Sequence, residues 1–264
     1  MNNVQKEILL YLNSNDYESQ RKISNKLNIS LGLINKEIKS LINSGYLTQY
    51  KKLTKKTSLM IKSYKPKRAI ILAAGICTRM VPLNSSIPKA LLKVNGEVII
   101  EKQIQYLHDV GIKEIYVVVG YMKEKFEYLI DKYNVKLVVN PLYNIRNNYY
   151  SLYLLRNKLS NAYVIPSDIL MFNNPFSKDE IESWYMFSNK ENFNSKYRVN
   201  KNKSIGSSHN KGMRMIGISY IAQSEAKIIE RNLINFVNKG YIDCFWEKAL
   251  ECKNGFIVNG KVVN

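Results

Sequence analysis

The chain has 264 residues and a hydrophobic content of 45%, enough for one large domain or two smaller ones with buried cores. A formal net charge of +19 favours anionic partners such as nucleotides, nucleic acid or anionic lipid, without choosing among them. Cys77, Cys244 and Cys252 form no CxxC pair and only His108 and His209 could join them, which argues against a zinc site or a disulfide framework and fits a reducing cytosol.

No apolar run approaches the ~18 residues that span a bilayer. The N-terminus has an early Glu7 and too short an apolar core for a signal peptide. A soluble cytoplasmic protein with no membrane insertion is expected. Val4, Ile8, Leu9 and Leu12 recur at helical spacing until Asn13-Ser14-Asn15-Asp16. ESQRKISNKLN carries Ile23 and Leu27 on one helical face, and Asn28-Ile29-Ser30 makes a turn. Ser30 is placed as the N-cap of a third helix, LGLINKEIKSLINSG, with Ile34, Ile38 and Leu41 inward and Gly45 as a left-handed cap. YLTQYKKLTKKTSLMIKSY reads as a short hairpin with a basic tip.

Three short helices and a hairpin in that order resemble a winged helix-turn-helix over residues 1–62. By that resemblance the third helix would lie in a DNA major groove and the hairpin would be the wing. Twelve basic residues against four acidic ones before Pro66 suit a phosphate backbone. Winged helices also serve as protein-docking or dimerisation modules, and only Ser30, Asn35, Lys36 and Lys39 on the third helix suit base reading, so DNA and protein both remain open as partners. Residues 63–67 form a polar linker around Pro66.

Ala69-Ile70-Ile71-Leu72 is the kind of apolar run that makes a strand buried on both faces. It ends in Ala73-Ala74-Gly75, where small side chains let a ligand approach the backbone. Thr78, Arg79 and, after Pro88, Lys89 follow. A strand end, a small-residue loop and two cations suit a triphosphate, although spacing alone equally allows a surface loop with ordinary charges. Helical and strand patterns then alternate: helix over 101–110, strand over 114–119 ending at Gly120-Tyr121, helix over 122–132, strand over 135–140, helix over 147–159, and strand over 162–168 ending on Asp168. Such alternation predicts a mostly parallel α/β sheet covered on both faces. Ligands sit beyond the carboxyl ends of such strands, where Gly75, Gly120-Tyr121, Asn140 and Asp168 fall. Farther on, 183–189, 196–201 and 213–222 read as strands, 203–212 as an exposed loop, and 226–240 and 241–250 as helices.

LAAGICTRMVPLNSSIPKALLKVNGEVIIEKQI, VVVGYMKEKFEYL, VVNPLYNIRNNYYSLYLL and AYVIPSD together resemble the nucleotidyltransferases that join a nucleoside triphosphate to a phosphorylated small molecule. Within that superfamily the resemblance is greatest to the bacterial choline-phosphate cytidylyltransferases, over about residues 68–250, and some relatives also carry a winged helix in front. It implies a Rossmann-like, mostly parallel sheet over 68–264. The backbone of Leu72, Ala73, Ala74 and Gly75 would face the nucleotide, together with Thr78 and Asn148, and base and ribose would lie near Gly120, Tyr121 and Asn140. Arg79 and Lys89 would neutralise the triphosphate and the incoming phosphate. Asp168 would hold a Mg²⁺, and in-line attack would need no covalent intermediate.

For a quaternary ammonium acceptor the resemblance implies Asp243, Phe245 and Trp246, with Trp184 and Tyr185 as further candidates; aromatics at such spacing equally serve a core. Two departures stand out. Cys77 occupies a position where relatives usually have a second glycine, and relatives continue past residue 264 through a strand and helix that bring another acid to the metal. The expected reaction is CTP plus phosphocholine to CDP-choline and pyrophosphate. The alternatives are a sugar- or polyol-phosphate nucleotidyltransferase, or a catalytically impaired, nucleotide-sensing DNA-binding regulator. A homodimer is compatible with each.

Overall fold

A computed structural model describes residues 1–76, 86–208, 211–253 and 255–263; the expectations placed on Cys77, Thr78, Arg79 and His209 lie outside them. Two compact units divide the chain, Met1–Lys65 with Asp179–Ile181, and Pro66–Lys178 with Glu182–Asn264.

In the first unit, α1 (Asn3–Ser14) starts with a reciprocal cap in which the Asn2 side chain accepts from the Gln5 N–H and the Gln5 side chain from the Asn2 N–H. α2 (Gln20–Leu27) is capped by Ser19 and stops at Asn28, which takes a left-handed conformation with φ 53°. α3 (Leu31–Asn43) begins after Ser30, whose side chain makes no capping bond. Gly45, at φ 73°, ends it: its N–H reaches Ile42 O and the Tyr46 N–H reaches Leu41 O, which satisfies two otherwise orphaned carbonyls. Ile8, Leu9, Ile23, Ile34, Ile38 and Leu41 form the core as the helical spacing requires.

The expected hairpin is much shorter than 46–64. A single bridge joins Leu47 to Leu53 across a turn with Lys51 at φ 59°, and α4 (Lys55–Tyr64) follows. Thr54 caps α4 by accepting from the Thr57 N–H, and Thr57 and Ile61 are buried one turn apart. The four-residue spacing of Thr57 and Ile61 is helical, and it outweighs the strand preference of the β-branched residues around it.

In the second unit, β1 (Arg68–Ala73) lies at the middle of the sheet. A small hairpin, β2 (Lys93–Val94) with β3 (Glu97–Val98), leads into α5 (Ile99–Asp109). β4 (Glu114–Val119) follows, then a 3₁₀ turn at Lys123–Phe126 and α6 (Tyr128–Tyr133). Met122, at φ 48°, and the 3₁₀ turn replace the single helix expected over 122–132. β5 (Lys136–Val139), α7 (Asn148–Leu154) and β6 (Ala162–Pro166) come next, with a separate 3₁₀ turn at Arg156–Lys158 in place of the end of the longer helix expected there.

β7 (Trp184–Asn192), β8 (Tyr197–Val199), β9 (Ile205–Ser207), β10 (Gly212–Ile221) and α8 (Gln223–Asn238) follow. The chain ends in β11 (Glu251–Cys252), β12 (Gly255–Phe256) and β13 (Asn259–Val263). The sheet order is β13-β7-β10-β6-β1-β4-β5. β1 runs parallel to β4 and β6, and β4 to β5; β10 is antiparallel to β6 and β7. The sheet is therefore mixed but mostly parallel, as the alternating pattern predicts.

Two expectations in the last third change. Residues 203–212 are not simply a loop, because Ile205 is buried and β9 pairs with β8. Residues 241–250 are not one helix: only Trp246–Leu250 forms a 3₁₀ turn, while the Ile242 carbonyl accepts from the Asn147 N–H and the Trp246 N–H donates to the Asn148 side chain.

The turn after β4 depends on a glycine for space rather than for φ. A Cβ on Gly120 would stand 2.5 Å from Tyr143 Cβ and 2.8 Å from Ala74 O. The Tyr121 N–H meanwhile donates to Ala74 O, drawing the β1 and β4 ends together. Gly120→Ala should therefore destabilise the fold by about 1–3 kcal/mol through overpacking, read as a lowered thermal midpoint; an unchanged midpoint would contradict this close approach.

Candidate active site

A cavity of about 500 Å³ opens beyond the carboxyl ends of β1, β5 and β6. One side is the backbone of Leu72–Gly75, where alanine and glycine leave room for a ligand. Pro88 delivers Lys89 on a short 3₁₀ turn, and the Lys89 Nζ lies 2.6 Å from Asp168 Oδ2. Both side chains keep about a third of their surface accessible, 30% and 34%. A pair this exposed contributes ~1 kcal/mol or less, so either partner can be exchanged for a ligand at small cost.

Asp168 is held in place from below. The Ser167 N–H donates to Leu72 O, extending the β1–β6 register by one bond. Buried Gln103 on α5 donates through Nε2 to Pro166 O at 3.1 Å and to Ile169 O at 2.9 Å, gripping the loop on both sides of the carboxylate. Gln103 was not singled out from sequence; its signal is a polar residue on the apolar face of an amphipathic helix.

The opposite side is built from residues 140–148 and 241–246. Asn140 is buried and lines the cavity, with its Oδ1 accepting from the Leu142 N–H and its Nδ2 donating to Ser151 Oγ. Asn147 caps α7 and fastens the later segment twice: its N–H donates to Ile242 O and its Nδ2 donates to Asp243 Oδ1 at 2.8 Å. Asn148 accepts from the Trp246 N–H at 2.8 Å. Asp243 thereby lines the same cavity as Asp168. Arg146, not singled out from sequence, lines it too.

The cavity thus assembles Leu72, Ala73, Ala74, Gly75, Lys89, Asn140, Asn148, Asp168 and Asp243. Gly120 and Tyr121 pack beside it without lining it. Trp246 is fully enclosed in the core, 6.0 Å from the Tyr185 ring, and Phe245 is exposed away from the cavity. Trp184 and Tyr185 are buried as well, and the face of Trp184 already holds Lys261 Nζ at 4.1 Å. None of these four aromatics lines the cavity; among the described residues Tyr143 is the aromatic that does.

A model of the MobA-like NTP transferase domain matches residues 69–181, and one of a winged helix-turn-helix, described as DNA-binding, matches residues 1–48. The choline-phosphate cytidylyltransferase of Streptococcus pneumoniae is 36% identical over 197 residues, 70% of this chain and 83% of that protein. The chain belongs to the nucleotidyltransferase family. The 2-aminoethylphosphonate cytidylyltransferase of Lancefieldella rimae is 32% identical over 69% of this chain and 78% of its own length. The solved CTP:phosphocholine cytidylyltransferase of S. pneumoniae superposes with a TM-score of 0.69 at 34% identity, covering 76% of this chain and 90% of that one. In this chain the mostly parallel sheet presents strand ends to one cavity, and the winged helix-turn-helix match precedes it in sequence.

Behind the segment that carries Asp243 lies a buried acid. The Glu247 carboxylate is enclosed, although part of the residue reaches solvent; Oε1 accepts from the Tyr185 hydroxyl at 3.0 Å and Oε2 has no partner among the described residues. Burial raises its pKa to about 7, opposed by hydrogen bonds from its own backbone N–H and from the Tyr185 hydroxyl. The folded state therefore holds this proton more tightly than the unfolded chain. The stability linked to it is full below the unfolded carboxyl value and is lost as pH rises through about 7. Glu247→Gln, which cannot ionise, should flatten the decline in melting temperature from about pH 5 to 8; an unaltered pH slope would mean that the carboxylate stays charged.

Proposed function

We propose that this nucleotidyltransferase transfers a cytidylyl group from CTP to phosphocholine, releasing CDP-choline and pyrophosphate. What carries the reading is the Lys89–Asp168 pair at the mouth of the β1 strand end, on a chain 36% identical to a choline-phosphate cytidylyltransferase over 83% of that protein. The Leu72–Gly75 backbone lets the nucleotide lie against the strand end. Lys89 turns from Asp168 to the triphosphate and offsets the charge that grows as pyrophosphate leaves. An oxygen of the acceptor phosphate attacks the α-phosphorus in line; its bond to phosphorus forms as the bond to the β-phosphate oxygen breaks. The side chains hold no covalent intermediate. They position and neutralise.

The donor set fits a magnesium ion. Asp168 and Asp243 bring carboxylate oxygens to one cavity, and Mg²⁺ takes one or two carboxylates together with phosphate oxygens and water. Bound there, the ion would neutralise phosphate charge. Asn147 keeps Asp243 turned toward the cavity, and Gln103 does the same for the Asp168 loop.

For the first unit we infer duplex DNA as the partner, from its winged helix-turn-helix match and its excess of basic residues. Binding should then weaken steeply with added salt as counterions are released. A gel shift with the full chain reads this, and no shift even at low salt would remove DNA as the partner.

The transfer itself is tested by pyrophosphate release across CTP, UTP and dTTP with phosphocholine or glucose-1-phosphate. CTP with phosphocholine should turn over fastest, and faster turnover with glucose-1-phosphate would move the assignment to a sugar phosphate. Asp168→Ala and Lys89→Ala should each lower kcat/KM by about a hundredfold or more with the melting curve unchanged; near-normal turnover in either would sink this site.

A further inference from the structure

We propose that Arg146 binds the phosphate of the acceptor, which makes it the residue that selects a phosphorylated acceptor over the free alcohol. The inference rests on reading the cavity as that of a transferase. Its physical starting point is that two polyanions must meet in one cavity. A triphosphate and a phosphate monoester repel each other unless each finds its own positive charge.

Among the described residues two cations line the cavity, Lys89 and Arg146. Lys89 is neutralised by Asp168 at 2.6 Å. Among the described residues Arg146 has no acidic partner, and its one side-chain hydrogen bond runs from Nη1 to the Tyr149 hydroxyl at 3.2 Å. Its guanidinium carbon stands 5.1 Å from the centre of the Tyr150 ring. Both partners are neutral, so they orient the cation without cancelling it.

That support is rigid. Tyr149 is fully buried, donates its own hydroxyl proton to Tyr241 O, and packs edge-on against Phe236. Tyr150 stacks on Tyr153 with 5.5 Å between centroids. A guanidinium fixed this way keeps Nε and Nη2 for a ligand, and two parallel N–H donors match two oxygens of a phosphate. A lysine at the same place would offer charge but no fork.

The acceptor is the better match than the nucleotide. In that reading the triphosphate is served by the Leu72–Gly75 backbone and Lys89, and would be served further by any ion that Asp168 and Asp243 held. Arg146 belongs instead to the segment that Asn147 and Asn148 fasten to residues 242–246. Without Arg146, no cation that lines the cavity among the described residues is left for the second dianion.

The test compares wild type with Arg146→Ala and Arg146→Lys, after melting curves establish that all three are folded. In pyrophosphate-release assays, Arg146→Ala should raise KM for phosphocholine at least tenfold and leave KM for CTP within twofold. Arg146→Lys should recover part of that loss. A rise in KM for CTP instead, or no change in either, overturns the proposal. A second arm needs no turnover: phosphocholine is titrated by calorimetry without metal. Phosphocholine should bind wild type at least tenfold more tightly than Arg146→Ala, and choline should show no such difference. Equal binding to both proteins, or no binding to wild type, overturns the proposal. Arg146-dependent binding without turnover would sink the transferase assignment and leave the phosphate site standing.

Discussion

The site depends on the grip of two asparagines. Asn147 and Asn148 sit where α7 begins, at a point where a helix leaves backbone and cap groups free for other partners. Between them they make three bonds to residues 242–246, one from a backbone N–H and two through side-chain amides. No helix can form across that stretch while its groups are used this way, and so it runs as an open strap that brings Asp243 to the cavity. The cavity wall and the position of one carboxylate both follow from this one junction. Neutral amides suit the task, because they orient a carboxylate without lowering its charge.

A second constraint is the crowding at the β1 strand end. Ala73, Ala74, Gly75 and Gly120 keep side-chain volume out of a region where Tyr143 and two strand ends converge. Small residues there serve the ligand and the fold together. Overpacking at Gly120 would therefore disturb stability and substrate access at once.

The central sheet was legible because β1, β4 and β6 are buried runs of branched residues ending in small or polar ones. Burial on both faces leaves that composition little alternative. The residues lining the cavity at the ends of β1 and β6 were legible for a related reason: strand ends in such sheets converge. What escaped were features set by distant partners. Nothing local marks 241–245 as non-helical, since the bonds that open it come from residues about a hundred positions earlier. Arg146 and Gln103 escaped because each takes its meaning from a neighbour in space, Tyr149 in one case and the Asp168 loop in the other. Trp246 misled in the opposite direction. An aromatic beside an acid looks like a cation site in sequence, while in space its ring fills the core. In the first unit, the spacing of Thr57 and Ile61 carried the helix that β-branched composition concealed.

The Lys89–Asp168 contact has a consequence for how the cavity fills. With no substrate present, the two charges mask one another, so a lone anion competes with Asp168 for the lysine and a lone cation competes with Lys89 for the carboxylate. A ligand that carries both signs meets neither obstacle, since it offers each partner a replacement in the same event. A nucleotide arriving already complexed with its metal is such a ligand. Because so exposed a pair is worth ~1 kcal/mol or less, this masking tilts the competition toward such a ligand without closing the cavity to either ion alone.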